Sequence, residues 1–169
     1  MITLHQRTIP SDAIRQLYES AFPLAERRPW PAQLKLLDAG KLRLLEIQRD
    51  KKYAGFIFYW SLPDFAFVEH FAIEPAARGG GAGTAVMEQM AAALKAIVLE
   101  VEPPDTEQAI RRINFYERLG YQTFLDYYEQ PPYHPGYPPL QLRLMHLHLP
   151  PALGFVQIKQ ELYREIYQQ

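Results

Sequence analysis

The spacing of apolar positions changes period repeatedly along the chain, and each change marks an element. Residues 2–6 alternate weakly, as a half-buried first strand does. Ser11 has the side chain of a helix N-cap, and Ile14, Leu17, Tyr18 and Phe22 follow at helical spacing until Pro23 stops them. Residues 22–29 read as a loop. Pro31 opens a short second helix through Asp38, with Gly40 to cap it. Residues 42–48 and 53–60 predict two strands joined by the charged hairpin Arg49-Asp50-Lys51-Lys52, and residues 65–73 predict another.

After the turn Glu74-Pro75-Ala76-Ala77 comes a glycine cluster. A helix over about residues 81–95 follows, with Ala85, Val86, Met90, Ala93 and Leu94 on its apolar face. Residues 97–102 predict a strand ended by Pro103-Pro104, and Thr106 starts a helix that closes at Leu119-Gly120. Residues 121–128 and 140–148 predict the last two strands, separated by a Pro/Tyr loop over 130–139. Phe155, Ile158, Leu162 and Ile166 share one side of a final helix over about 153–167. This order predicts an α/β (α+β) fold: one domain over 1–169, with a mixed, mostly antiparallel central sheet of about six to seven strands flanked by helices.

Composition narrows the function classes. The 169 residues carry a formal net charge of −1, with no basic run to favour nucleic acid or an anionic membrane as a partner. The absence of cysteine excludes disulfides, thiolate metal sites and a cysteine nucleophile. No stretch has the length and apolarity of a membrane span or a signal core, so a cytoplasmic protein is expected. His146 and His148 lie two apart on a strand with no carboxylate pattern beside them, and no metal site is expected.

The chemistry concentrates at Arg78-Gly79-Gly80-Gly81-Ala82-Gly83-Thr84, between a strand and a helix N-terminus. Glycines leave backbone N–H groups uncovered, and the first helical turn leaves them unpaired beside the positive end of the helix dipole. Such a cradle suits a phosphate or pyrophosphate. It lacks the Gly-Lys-Ser/Thr ending of a Walker loop and the spacing of a dinucleotide fingerprint.

Arg78, Gly81 and Gly83 instead form Arg-x-x-Gly-x-Gly after Phe71-Ala72-Ile73, and Ala109, Phe115-Tyr116 and Gly120-Tyr121 follow on the next helix. In these two motifs the chain resembles the GNAT superfamily of N-acetyltransferases over roughly residues 42–128. The resemblance implies a GNAT-like domain with acetyl-CoA as cosubstrate. The loop amides would bind the pyrophosphate, the Phe71, Ala72 and Ile73 backbone would pair with the pantetheine arm, and Phe115 would lie beside it. Tyr116 would meet the thioester sulfur as proton donor. A homodimer through the last strand and helix is a further implied arrangement. Pro103-Pro104-Asp105-Thr106 departs from the Ser-Asn pair that many members carry before this helix.

Transfer to an amine also needs a proton acceptor. Period-two alternation places Phe67, Glu69, Phe71 and Ile73 on one side of their strand, with His70 opposite. Glu69 is therefore the expected base, its pKa raised by apolar neighbours. Glu26, Glu100 and Glu102 are the expected amine-pocket carboxylates, joined at the rim by Asp126 and Glu129 if they converge. The acceptor is expected to be a small amine, an amino-acid derivative or a peptide N-terminus. The alternative is a non-catalytic acyl-CoA-binding module, which needs neither Tyr116 nor a base.

Overall fold

A computed structural model describes residues 1–168. The strands are β1 (Ile2–Arg7), β2 (Leu42–Arg49), β3 (Lys52–Ser61), β4 (Ala66–Ile73), β5 (Ile97–Val101), β6 (Gln122–Thr123), β7 (Tyr128–Gln130) and β8 (Leu140–Leu147). The helices are α1 (Asp12–Ala21), α2 (Trp30–Asp38), α3 (Ala82–Ala93), α4 (Glu107–Arg118) and α5 (Phe155–Leu162), the last continued by a π-turn over Tyr163–Tyr167. Ser11 caps α1 through Ile14 N–H at 3.3 Å, and Thr106 caps α4 through Ala109 N–H at 3.1 Å.

The sheet runs β1-β2-β3-β4-β5-β8-β6, with β7 also on β8. Every pair is antiparallel except β4–β5. Two apolar layers enclose it. One packs Ile14, Tyr18 and Trp30 from α1 and α2, with Ile158 and Leu162 from α5, against Phe56, Phe58 and Phe67. The other packs Val86, Met90 and Ile113 from α3 and α4 against Ile57, Val68 and Leu99. Strands with apolar residues on both faces are buried on both, as in the run Phe56-Ile57-Phe58.

The single strand expected over 121–128 divides in two. β6 pairs through Thr123 with Met145, whereas β7 pairs through Tyr128 with Leu142, so four residues on one side span two on the other. Leu125, Asp126 and Tyr127 loop out into solvent, while Phe124 and Tyr128 both turn inward onto Phe155 of α5. Burying those two rings outweighs keeping a regular ladder.

A second irregularity positions the site. In the β3–β4 ladder, Phe58 pairs with His70 but Tyr59 pairs with Val68, which leaves Glu69 as an extra residue. A bulge bends its strand and strengthens the local twist. Pairing of β4 with β5 ends at Val68–Leu99. Beyond it the two strands diverge, and the β4 edge from Glu69 to Ile73 has no strand partner on that side.

Candidate active site at the β4–β5 divergence

Two hollows meet at this divergence. On the α3/α4 side lies a cleft of about 430 Å³. Its floor is Phe71, Ala72 and Ile73, one end is Arg78, Gly79 and Gly83, and α4 supplies Gln108, Arg111 and Arg112. Phe115 and Tyr116 complete the wall with Phe22 of the α1–α2 loop.

The glycine loop is built as its composition dictates. Gly79, Gly80 and Gly81 all take left-handed φ, at 85°, 60° and 74°, a conformation that side chains rarely tolerate. Arg49 holds the loop by donating to the carbonyls of Ala77 and Gly79, at 3.0 and 3.2 Å. Arg78 turns back and donates to the Ile73 carbonyl at 3.0 Å. Gly81 caps α3 without a side-chain hydrogen bond, and Ala85 N–H is bonded to the Gly81 carbonyl at 2.9 Å. The amides of Gly83 and Thr84 ahead of it have no intrahelical acceptor. A side chain on Gly83 would meet the Phe115 ring at 3.3 Å, so glycine there keeps this end open. Ala82 is buried beneath the loop. These residues fit a pyrophosphate-bearing acyl carrier: orphan amides at a helix N-terminus, arginines nearby, and an unpaired strand edge leading away from them.

Tyr116 is 8% exposed and packs edge-on against Phe115 and at a tilt against Tyr121. Burial raises its phenol pKa, so it stays protonated at neutral pH.

On the opposite side of the sheet is a narrow hollow lined by Glu26, Glu69, Glu100 and Glu102. Phe22 and Arg112 border both hollows. The four carboxylates therefore converge. Asp126 lies in the exposed bulge, and Glu129 engages the Tyr127 hydroxyl, so neither joins them.

The bulge overturns the expected arrangement on β4. Two consecutive residues, Glu69 and His70, face the α1/α2/α5 layer: Glu69 contacts Trp60 and Arg28, and His70 packs on Tyr18 and Phe22. Phe71 and Ile73 face the other layer. Glu69 is also no free carboxylate. Arg28 donates to its two oxygens at 2.7 and 3.3 Å, Trp60 Nε1 at 2.9 Å, and the Tyr133 hydroxyl at 2.7 Å. Its side chain is fully buried, and burial alone would raise its pKa. The Arg28 charge and these donors outweigh burial and bring it down to about 2. The expected rise is reversed because an apolar row in sequence is a polar cage in space.

Glu100 shows the opposite balance. The Tyr128 and Tyr167 hydroxyls donate to its two oxygens, at 2.5 and 2.7 Å. Burial wins over these bonds, helped by the charges of Glu69 and Glu26, and its pKa is pushed up to about 7. Burial and then Glu102 also raise Glu26, against a lowering by Arg112. His70 donates from Nε2 to the Glu26 carbonyl at 2.8 Å, and burial lowers its pKa. Its Nδ1 has no partner.

The arginines of α4 were legible in principle, since Arg112 lies one helical turn before Tyr116. Arg28, Tyr128, Tyr133 and Tyr167 carried no such signal. They come from two loops, strand β7 and the π-turn after α5, and are brought together only by the fold.

The Acetyltransferase (GNAT) family model matches residues 11–121, well over half of the 169-residue chain. The chain belongs to the GNAT acetyltransferase family. A solved structure assigned to the same family from Bacteroides thetaiotaomicron is 37% identical, with TM-score 0.87, covering 93% of this chain and 91% of that one. A GNAT acetyltransferase from Elizabethkingia anophelis, solved with acetyl-CoA bound, has TM-score 0.60 at 15% identity, covering 88% and 98%. The ribosomal-protein-S18-alanine N-acetyltransferase from Escherichia coli has TM-score 0.56 at 19% identity, covering 92% and 100%. These two show a shared fold. A search of curated proteins found no match. The GNAT match ends at Tyr121, so β6 to β8, α5 and the tyrosines around Glu100 and Glu69 lie beyond it.

No group of three or more metal-ligating side chains occurs among the described residues, and none of their helices is long and apolar enough to cross a membrane. His146 lies against the Phe124 ring with centroids 4.3 Å apart, while His148 is exposed at the strand end.

Proposed function

We propose that this protein transfers the acetyl group of acetyl-CoA to a primary amine by direct attack within a ternary complex. One observation carries the reading: the divergence of β4 and β5 joins a glycine-ended cleft bearing Tyr116 to a carboxylate-lined hollow bearing Glu100. The donor would supply the activated acetyl group. The amides around Gly79–Gly83 and the charges of Arg78, Arg111 and Arg112 would bind its phosphates. A main-chain amide near Phe71 or Ile73 would polarise the acetyl carbonyl.

Glu26, Glu100 and Glu102 favour a cationic acceptor, and the hollow's small size, about 50 Å³, favours an unbranched ammonium group. A small amine fits this best, ahead of an amino-acid derivative or a peptide N-terminus. Glu100 takes the ammonium proton, because its pKa of about 7 matches the task. Glu69 at about 2 does not; its role is to hold the Arg28 side of the pocket. The new C–N bond forms as the C–S bond breaks, and Tyr116 returns a proton to the departing thiolate. With no cysteine in the chain, no cysteine acyl-enzyme intervenes.

The test is thiol release from acetyl-CoA across a panel of primary amines, with acetylated product identified by mass. Acetylation of none of them would overturn the catalytic reading and leave an acyl-CoA-binding module. Tyr116→Phe is expected to lower kcat by about 10²-fold while leaving coenzyme A affinity within a factor of about two. Unchanged kcat across pH would remove Tyr116 from the chemistry. The double variant Gly79→Ala/Gly81→Ala should weaken coenzyme A binding by about tenfold or more in calorimetry, since left-handed backbone costs side-chain-bearing residues about 1–2 kcal/mol each. An unaltered Kd would place the phosphates elsewhere.

A further inference from the structure

The turn that follows α5 reaches Glu100 of the acceptor hollow in an unusual way. α5 ends at Leu162 and passes into a π-turn over Tyr163–Tyr167. The wider i→i+5 turn changes the rotation per residue, and such turns collect at functional sites. Ile166 and Leu162 remain in the core. Tyr167 is thereby aimed at the sheet, where its hydroxyl lies 2.7 Å from one oxygen of Glu100. Tyr128 of β7 engages the other oxygen at 2.5 Å. Tyr133, from the Pro/Tyr loop, is bonded to Glu69 and lies 3.5 Å from the Tyr167 hydroxyl. Each phenol has one proton to donate, and these three each direct it to a pocket carboxylate.

We propose that Tyr167 is a positioning residue for acetyl transfer: its hydroxyl fixes the orientation and charge of the Glu100 carboxylate, making the C-terminal π-turn a working part of the acceptor site. This rests on Glu100 as the base. The bond that the hydroxyl donates to an ionised Glu100 is charge-assisted and stronger than one to the protonated acid, so it favours the form that accepts the ammonium proton. Other groups also face Glu100 or its hollow. Tyr128, Tyr133 and Arg112 oppose the charges of Glu69, Glu26 and Glu102, while His70 is neutral and Arg28 is taken up by Glu69. Tyr128 and Tyr167 alone among them touch Glu100 directly, and Tyr167 does so from the π-turn.

The experiment is a carbon-13 NMR titration of the Glu100 carboxyl in glutamate-labelled full-length protein, assigned with Glu100→Gln, alongside the pH dependence of kcat/KM. Tyr167→Phe should move the Glu100 titration upward by about one pH unit. The acid limb of kcat/KM should follow, with about a tenfold loss below the limb and little change well above it. Ending the chain at Ile166 removes the same hydroxyl by a second route and should move the titration the same way. Tyr163→Phe, whose hydroxyl bonds instead to the Glu129 carbonyl, should leave it in place. An unmoved Glu100 titration in Tyr167→Phe, or an equal movement in Tyr163→Phe, would overturn the proposal. If the titration moves and the rate limb does not, the positioning contact stands and Glu100 is not the base.

Discussion

Glu100→Gln is expected to lower kcat/KM for acetyl transfer by about 10²–10⁴-fold and to erase the acid limb of its pH profile near pH 7. The loss follows from chemistry, because an amide of the same shape cannot take the ammonium proton. The variant should also be more stable than the parent protein at alkaline pH. A carboxyl whose pKa is raised by folding binds its proton more tightly in the folded state. It therefore costs nothing at low pH, and it destabilises the fold as pH rises from the ordinary carboxylate range through about 7. Gln at position 100 carries no charge to desolvate. Melting should be similar for the two proteins near pH 4 and higher for the variant at pH 8, by about 2–4 °C for each kcal/mol relieved. Full activity with an unmoved limb would assign proton acceptance to another group or to water.

Arg28→Met is expected to be the most destabilising single change at the site. It leaves the Glu69 carboxylate fully buried with only Trp60 and Tyr133 to answer it. Breaking one side of a buried pair costs about 3–5 kcal/mol, or roughly 6–20 °C in Tm for a chain of this size. Removing both charges in Arg28→Met/Glu69→Leu should restore much of that loss, since the penalty lies in the unpaired charge rather than in the absent bond. The pH dependence separates the two explanations. With its partner present, Glu69 has a depressed pKa of about 2, so its contribution to stability is complete above the ordinary carboxylate range and is lost as pH falls from there through about 2. Without Arg28 only the Trp60 and Tyr133 donors oppose burial, burial then dominates and the sign reverses, so Arg28→Met should lose further stability as pH rises. A uniform deficit at every pH would indicate lost packing of the arginine over the Tyr133 and Trp60 rings instead.

The outcome for Glu69 and Glu100 shows where sequence reasoning reaches its limit. Unbroken alternation along residues 65–73 predicts Glu69 in a row with Phe71 and Ile73. One extra residue at the Glu69 bulge moved it to the face that His70 also occupies. The placement of a bulge depends on pairing with β3 and on what both sheet faces bury, and a single strand's pattern does not encode it. For Glu100 the sequence predicts only a pocket carboxylate. Its distinguishing feature is contact with Tyr128 and Tyr167, which lie 28 and 67 residues away in sequence.

Most elements and the donor side of the site follow from local sequence; the division of residues 121–128 into β6 and β7 does not. Helical and alternating periods, the caps Ser11 and Thr106, and prolines at the breaks are local signals, read within a turn or a strand. The glycine loop is local too, because left-handed backbone and uncovered amides follow from the identity of a few adjacent residues. Only the tertiary structure decided the acceptor side. It set the bulge at Glu69, the divergence of β4 from β5, the Arg28–Glu69 pair, the tyrosines on Glu100 and the π-turn that delivers Tyr167. Each of these rests on groups distant in sequence, and the sign of each carboxylate's pKa shift depends on what stands a few ångströms away in space.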